Sequence, residues 1–161
     1  MFTSYLNNTS LPRGIRNNNP GNLIYTTIAW EGKISYANNR DWSGTPTNIV
    51  KKFEQFKELR YGIRALMRDI YSDYRKGLTT VKALITEFAP HFENNTDSYI
   101  NTVINSIGGN IIGELTQDKM IAICKAIILV ENGPGYTSYI TNQDYQDAIE
   151  ILGIQLKKKV A

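Results

Sequence analysis

The sequence has very few of the residues that build metal centres and disulfides. Its 161 residues include one cysteine, Cys124, and one histidine, His91, so a disulfide within this sequence is excluded and no His/Cys metal motif exists. It also lacks a Gly-x-x-x-x-Gly-Lys-Ser/Thr phosphate loop and a Gly-x-Ser-x-Gly nucleophile elbow. We therefore expect no metal ion, no cofactor and neither nucleotide nor acyl-transfer chemistry.

Long apolar runs and a strong charge of either sign are missing as well. No stretch approaches the roughly 20 apolar residues that span a bilayer, and the first residues lack the basic and apolar regions of a secretory signal. The net charge is +3, part of it in lysines 157–159, and no basic stripe with interleaved aromatic residues accompanies it. We expect a globular protein made in the cytoplasm without a signal peptide, with no membrane span and no nucleic-acid partner.

Five segments have the apolar pattern of helices, and each is bounded by residues typical of helix ends. Four are amphipathic, and the fourth in chain order is apolar almost all round. The predicted helices run from Leu59 to Gly77, from Thr79 or Thr80 to Pro90, through Tyr99 to Gly108, from Thr116 to Glu131, and from Asn142 to Gly153.

The segment between Asp118 and Glu131 predicts the central helix of the domain. Between Met120 and Val130 only Lys125 is polar, and helices without a polar face are buried. Cys124 lies in this run and is expected to pack in the core. Glu131 would leave the helix where Gly133 ends it, so a carboxylate is expected at the end of the most buried element, facing a cleft.

Turn-forming residues fill the segment 12–23, which we predict to be a structured loop and not a helix. The amides of Asn17, Asn18, Asn19 and Asn22 could match the hydroxyl and N-acetyl groups of a sugar. The alternative is that these side chains only satisfy the backbone of their own loop.

Residues 23–36 have the composition of a short β-hairpin, and residues 49–56 of a third strand. With five helices, this predicts an α+β fold that is predominantly helical, in which a small sheet lines one side of a cleft. Tyr25, Trp30 and Tyr136 are candidate sugar-binding residues, and Tyr36 and Trp42 could stack on sugar faces too, although aromatic residues beside turns more often pack in the core or its rim.

Carboxylate chemistry remains after these exclusions. Glycoside cleavage needs a carboxylic acid that is still protonated near neutral pH, and an apolar setting raises the pKa of such a group. Glu131 has apolar neighbours on one side and a Gly-rich exit on the other. The alternative is a helix-end glutamate that points into solvent.

Several motifs together resemble a phage and prophage virion-associated family with a lysozyme-like or peptidoglycan-hydrolase character. The resemblance covers most of the chain. Its motifs are RGIRNNNPGNL at 13–23, Trp30 and Gly32, Phe53-x-x-Phe56, YGIRA at 61–65, APHFENNT at 89–96 with Tyr99, and Glu131-Asn-Gly133.

The resemblance implies a peptidoglycan substrate and a lysozyme-like domain at 13–156, between an N-terminal arm at 1–12 and a basic tail at 157–161. In the superfamily, the helix with the catalytic glutamate precedes the Asn-containing segment, whereas here it follows it. The chain therefore resembles a circularly permuted member, and we expect the Glu131 carboxyl to face residues 17–22. The implied location is the virion, with other virion proteins as further partners and action in the host periplasm or cell wall.

The implied reaction is glycan-strand cleavage, by a muramidase, a glucosaminidase or a lytic transglycosylase. A hydrolase needs a second carboxylate about 5 to 9.5 Å from the first. Glu93, next to His91, is the preferred candidate because it lies in a matching motif, and Glu31 and Asp41 are the others. A transglycosylase could work with Glu131 alone. The alternative function is a virion structural or peptidoglycan-binding protein that keeps the fold without the chemistry.

Overall fold

A computed structural model describes residues 1–41, 52–89 and 95–158, and the described chain is predominantly helical. The α-helices are α1 Arg13–Arg16, α2 Leu59–Arg75, α3 Val81–Phe88, α4 Thr96–Ile107, α5 Gln117–Asn132 and α6 Asn142–Glu150. A 3₁₀ helix, Pro134–Tyr139, lies between α5 and α6.

The five longer α-helices lie where the apolar pattern predicts them. Thr80 and Thr116 are the N-caps of α3 and α5, and each side-chain oxygen accepts a backbone N–H three residues on. Gly108 and Gly133 follow α4 and α5 with positive φ angles, which glycine adopts without strain. These caps confirm the predicted starts of α3 and α5 and the predicted ends of α4 and α5, the two helices that carry Tyr99 and Glu131.

Two short helices were not predicted. The segment 12–23, predicted to contain no helix, includes the single turn α1, which begins after Pro12 and holds Ile15 in the core. The 3₁₀ helix Pro134–Tyr139 follows Gly133 directly. Both are too short to show a helical apolar period. The proline at the start of each segment does not distinguish a helix from a loop, because proline occurs both in turns and at the first turn of a helix.

The predicted hairpin and sheet are wrong for the described residues. Within 1–41, 52–89 and 95–158, β-pairing is limited to isolated antiparallel bridges, including Ile24 with Phe53 and Lys33 with Phe56. Backbone bonds join Tyr25 N–H to the Lys52 carbonyl and Ile34 N–H to the Gln55 carbonyl, and side chains satisfy part of the backbone between them. Glu54 accepts from Thr26 N–H, and Lys33 Nζ donates to the carbonyls of Thr26 and Ile28. The β-forming composition therefore gives extended chain tied by a buried ion pair.

The core forms where α5 packs against α4 and α2 packs against α6. In α5, Met120, Ile123, Cys124 and Ile127 are fully buried, as expected for a helix without a polar face. None of the helices in the described part of the chain has the length and hydropathy needed to cross a bilayer.

The N-terminal arm is packed on the domain. Thr3 Oγ1 donates to Asp144 of α6 at 2.7 Å, and Tyr5 Oη donates to the Tyr139 carbonyl at 2.6 Å. The Leu59 N–H donates to the Thr3 carbonyl at 2.9 Å. The arm thus joins the start of α2 to the last helix.

Candidate active site

Three consecutive asparagines, Asn17, Asn18 and Asn19, form the interior of the segment that follows α1. All three have no exposed surface. Asn18 Nδ2 donates to the Phe56 carbonyl and to Ser4, while its Oδ1 accepts the Tyr5 N–H. The described hydrogen bonds of these side chains are made within the protein, which favours the alternative interpretation of the loop, and their role as sugar ligands stays a prediction.

The side chains of Asn19 and Asn17 fix the flanking chain in the same way. Asn19 Nδ2 donates to the carbonyls of Leu23 and Glu54, and its Oδ1 accepts the Leu23 N–H. Asn17 Nδ2 donates to the Asp41 carboxylate. Asp41 is buried and also accepts the Phe53 N–H at 2.9 Å, which makes it a structural group and not a second catalytic carboxylate.

Helix α2 packs directly on this segment through a residue without a side chain. A Cβ atom at Gly62 would overlap the Asn18 carbonyl oxygen, and one turn later a Cβ at Gly21 would press on Leu66. Asn18 and Asn22 both have φ near +52°, a left-handed conformation that asparagine tolerates. Asn22 is partly buried, whereas Asn18 is fully buried.

Glu131 lies in the last turn of α5, and the structure brings it to Asn22. Asn22 Nδ2 donates to Glu131 Oε1 at 2.9 Å, and Tyr99 Oη donates to Oε2 at 2.9 Å. The neighbouring Asn132 side chain donates to the Pro20 carbonyl at 2.8 Å, which attaches the end of α5 to the same segment. Glu131 is partly buried, and polar groups, not the expected apolar ones, contact its carboxylate.

Tyr99 is the less obvious member of this arrangement. Its side chain is 1% exposed, and burial, followed by the charge and hydrogen bond of Glu131, raises the pKa of its hydroxyl far above the usual range. The hydroxyl therefore keeps its proton at any working pH. A hydroxyl both donates and accepts, so this contact persists whether Oε2 carries a proton or not.

A cavity of about 220 Å³ is lined in part by Asn22, the residue that donates to Glu131. Asn22 therefore connects the carboxyl to the cavity wall, although Glu131 itself is not among the described lining residues. One wall is the extended chain from Asn22 to Trp30, and the other is formed by α2 and the end of α3. The lining residues are Asn22, Leu23, Ile24, Thr26, Ile28, Trp30, Asp69, Glu87 and Phe88.

Asp69 is a carboxylate of this cavity that the sequence analysis missed. Burial, together with the negative charges of Asp73 and Glu87, raises the pKa of Asp69 to about 6, although Lys76 acts in the opposite direction. The spacing of Gly62, Leu66 and Asp69 along one face of α2 is the only sequence signal that could have found it. This spacing indicates the position of Asp69 only when the contact between Gly62 and Asn18 is known.

The other predicted site residues have varied positions. Trp30 lines the cavity, whereas Tyr25 packs edge-on against Tyr36 at 5.1 Å and Tyr136 stacks on Tyr139 at 6.0 Å. Glu31 pairs with Arg64 at 3.2 Å. The remaining candidates, Glu93, His91 and Trp42, lie outside the described residues.

A larger pocket of about 720 Å³ lies on a different face of α5. Ala122, Ala126 and Leu129 line it, together with residues of α4 and the 3₁₀ helix. At 100° per residue, Glu131 lies about 180° round the helix from Ala122, so its carboxyl points away from this pocket. Over 1–41, 52–89 and 95–158, His, Cys, Asp and Glu form no group of three that could hold a metal ion.

Architecture and site together define a small, mainly helical protein in which a buried helix ends in a carboxylate beside a cavity. The chain is 34% identical over 141 residues to Protein P5 of Pseudoalteromonas phage PM2, an alignment that covers 86% of this chain and 81% of that protein. The chain therefore belongs to the family of this phage protein. No protein-family model matches it. The phage part of the resemblance is thus confirmed.

Proposed function

We propose that the protein is a peptidoglycan-cleaving glycosidase of the virion, with Glu131 as the general acid. One observation carries the proposal: the Glu131 carboxyl ends the buried helix α5 and is held by Asn22, a residue that also lines a cavity. An acid that protonates a glycosidic oxygen must be fixed in position and next to a substrate-sized opening.

The hydrogen bonds of Glu131 suit a group that gives up a proton. The Asn22 NH₂ group can only donate, so it holds Oε1 as an acceptor, while the Tyr99 hydroxyl can donate or accept at Oε2. Oε2 can therefore carry the proton and lose it without breaking either contact. Trp30, in the cavity wall, offers an aromatic face to a sugar ring.

The same proposal includes a lysozyme-like domain with circularly permuted order. Its support is that α5, which follows the Asn-rich segment in the sequence, returns to it through Glu131 with Asn22 and Asn132 with Pro20. Membership of a phage protein family supports a place in the virion, where other virion proteins would be partners and the host cell wall the target.

The direct test is Glu131→Gln assayed on purified bacterial sacculi. The variant should release no muropeptides, at an unchanged melting temperature, because glutamine keeps the shape and the acceptor oxygen but has no acidic proton. Glu150→Gln is the matched control, since Glu150 is an exposed glutamate at the end of α6. Full activity of Glu131→Gln would remove Glu131 from the mechanism. Mass spectrometry of the products distinguishes reducing ends from anhydro ends.

A second candidate is a virion structural or peptidoglycan-binding protein without chemistry. It is favoured by the contacts of Glu131, because a carboxylate with bonds to both oxygens also serves to hold α5 against Asn22 and Tyr99. This candidate predicts that the wild-type protein pellets with sacculi and releases no muropeptides. Chromatography of the same digest separates the two functions.

A further inference from the structure

One face of α2 runs along the Asn-rich segment and carries a carboxylate to the cavity. Gly62 contacts Asn18, Leu66 contacts Gly21, and Asp69 lines the cavity together with Asn22. Positions four and three residues apart lie above one another on a helix, so the register that places Gly62 on Asn18 also brings Asp69 to the cavity that Asn22 lines. Asn22 thus shares a cavity with Asp69 and a hydrogen bond with Glu131.

The charged residues that act on Asp69 lie on the helical side of the cavity. The extended chain from Asn22 to Trp30 contributes only uncharged residues to the described lining of the cavity. On the helical side, Asp73 of α2, Lys76 directly after α2, and Glu87 of α3 are the charges that act on Asp69. Two negative charges against one positive charge make a further negative charge at this position unfavourable.

We propose that Asp69 is the second carboxyl group of the cleft and acts as the general base of a hydrolase. This inference rests on the proposed function. Asp69 takes a proton from a water molecule, whose oxygen forms a bond to the anomeric carbon. The glycosidic C–O bond breaks, its electron pair stays on the leaving oxygen, and that oxygen takes the proton of Glu131. One water is consumed and the two carboxyl groups exchange protonation states.

The acidity of Asp69 fits this role. A general base is most effective when its pKa lies near the working pH, because it is then both ionised and basic. The pKa of Asp69, raised to about 6 by burial and by Asp73 and Glu87, meets this condition. Activity should accordingly rise with pH between about 5 and 7.

The test compares Asp69→Asn, Asp69→Glu and Asp73→Asn by muropeptide release from pH 4.5 to 8. Asp69→Asn should lower the rate about 10²- to 10⁴-fold and abolish the rise near pH 6. Asp69→Glu should restore part of the rate together with the rise. Asp73→Asn should shift the rise to lower pH, because it removes a negative charge beside Asp69.

Sodium azide gives an independent readout, since a small anion can attack the anomeric carbon without a base. Azide should accelerate Asp69→Asn and yield a glycosyl azide, detected by mass spectrometry. An Asp69→Asn variant with a rate within twofold of wild type and an unchanged pH profile would overturn the role of Asp69. If Glu131→Gln is inactive in the same assay, only the role of Asp69 fails; if Glu131→Gln is fully active, the proposed function fails.

Discussion

The Asn22 amide donates a 2.9 Å hydrogen bond to the carboxylate of Glu131, a residue 109 positions later in the chain. The bond joins the Asn-rich segment to the end of α5, and Asn132 repeats the connection one residue on. Two adjacent residues thus hold the end of α5 against the Asn-rich segment. The predictions below test the parts of this arrangement separately.

Tyr99→Phe should weaken both stability and activity. The substitution keeps the buried ring and removes the hydroxyl that donates to Glu131 Oε2 at 2.9 Å. A partly buried carboxyl oxygen that loses such a donor costs about 1 to 3 kcal/mol, so we expect a loss of about that size in the free energy of unfolding. Urea denaturation at pH 7 measures it, and muropeptide release should fall about tenfold, the equivalent of about 1.4 kcal/mol.

Tyr74→Phe is the control for this experiment. The Tyr74 hydroxyl donates to the Gly113 carbonyl at 2.6 Å in an exposed position. Its removal should change stability by less than about 1 kcal/mol and leave activity unchanged. Equal effects of the two substitutions would argue against a special role of the Tyr99 hydroxyl.

Gly62→Ala should destabilise the protein although alanine favours helices. At an exposed helical position the change stabilises by about 1 kcal/mol. In α2 the new Cβ would overlap the Asn18 carbonyl oxygen, and Asn18 is held by Phe56 and Ser4. We expect a loss of about 2 kcal/mol or more in urea denaturation. Gly109→Ala, where no atom lies near the added Cβ, should be close to neutral, and a neutral Gly62→Ala would contradict this packing.

Asp69→Asn should stabilise the protein above pH 6. The pKa of Asp69 is raised in the folded state, mainly by burial, from 3.8 to about 6. The folded state binds the proton more tightly, so the stability of the wild type falls as pH rises from about 4 through 6. Asparagine removes this loss, and we expect a gain of about 1 to 3 kcal/mol at pH 7.5 that vanishes near pH 4.

Thermal unfolding of both proteins across this pH range measures the effect. Asp147→Asn, on α6 beside Gln143, is the comparison for the loss of one negative charge at a more solvent-accessible position. A constant difference between Asp69→Asn and wild type from pH 4 to 8 would contradict the raised pKa.

Lys33→Met should destabilise the protein, because it leaves the buried Glu54 carboxylate without its cation. Lys33 Nζ lies 3.1 Å from Glu54 Oε2, and the Glu54 side chain has no exposed surface. Removal of one partner of a buried ion pair typically costs about 3 to 5 kcal/mol, because the other charge remains. The double variant Lys33→Met/Glu54→Gln should recover much of the loss in urea denaturation. A double variant as unstable as Lys33→Met would show that packing, not the charge, is responsible.

The helical part of the fold was predictable because the apolar pattern and the capping residues of each helix lie within its own segment of the sequence. The apolar residues of α5 and the caps Thr116 and Gly133 give its extent within one residue at each end. A carboxylate at the end of that helix was predictable for the same reason. Its partner Tyr99 lies on α4 and could be found only after the two helices were packed together.

The roles of the asparagines could not be separated from sequence. The same amide chemistry that binds a sugar also satisfies a buried backbone, and only position decides between them. Asn18 and Asn22 have the same left-handed conformation, yet Asn18 is fully buried and Asn22 borders a cavity. Asp69 was missed because its place depends on the contact between Gly62 and Asn18, which is a tertiary contact.

The hairpin prediction failed for a physical reason at Lys33 and Glu54. A β-forming composition requires that backbone groups find partners on a neighbouring strand. Here backbone bonds join Leu23 and Tyr25 to residues 52–54, but from Thr26 onward the side chains of this ion pair bond to the backbone, so the pairing does not extend into a ladder.

The hydrogen bond between Thr3 and Asp144, which are 141 positions apart, has a consequence for biosynthesis. Residues up to Asp144 must be synthesised before the arm is held in place, and residues up to Glu131 before the Asn22–Glu131 pair forms, because folding cannot use partners that are still untranslated. A chain truncated ahead of α5 would lack the Glu131 carboxyl group altogether. Under the proposed function, such an unfinished chain would have no general acid.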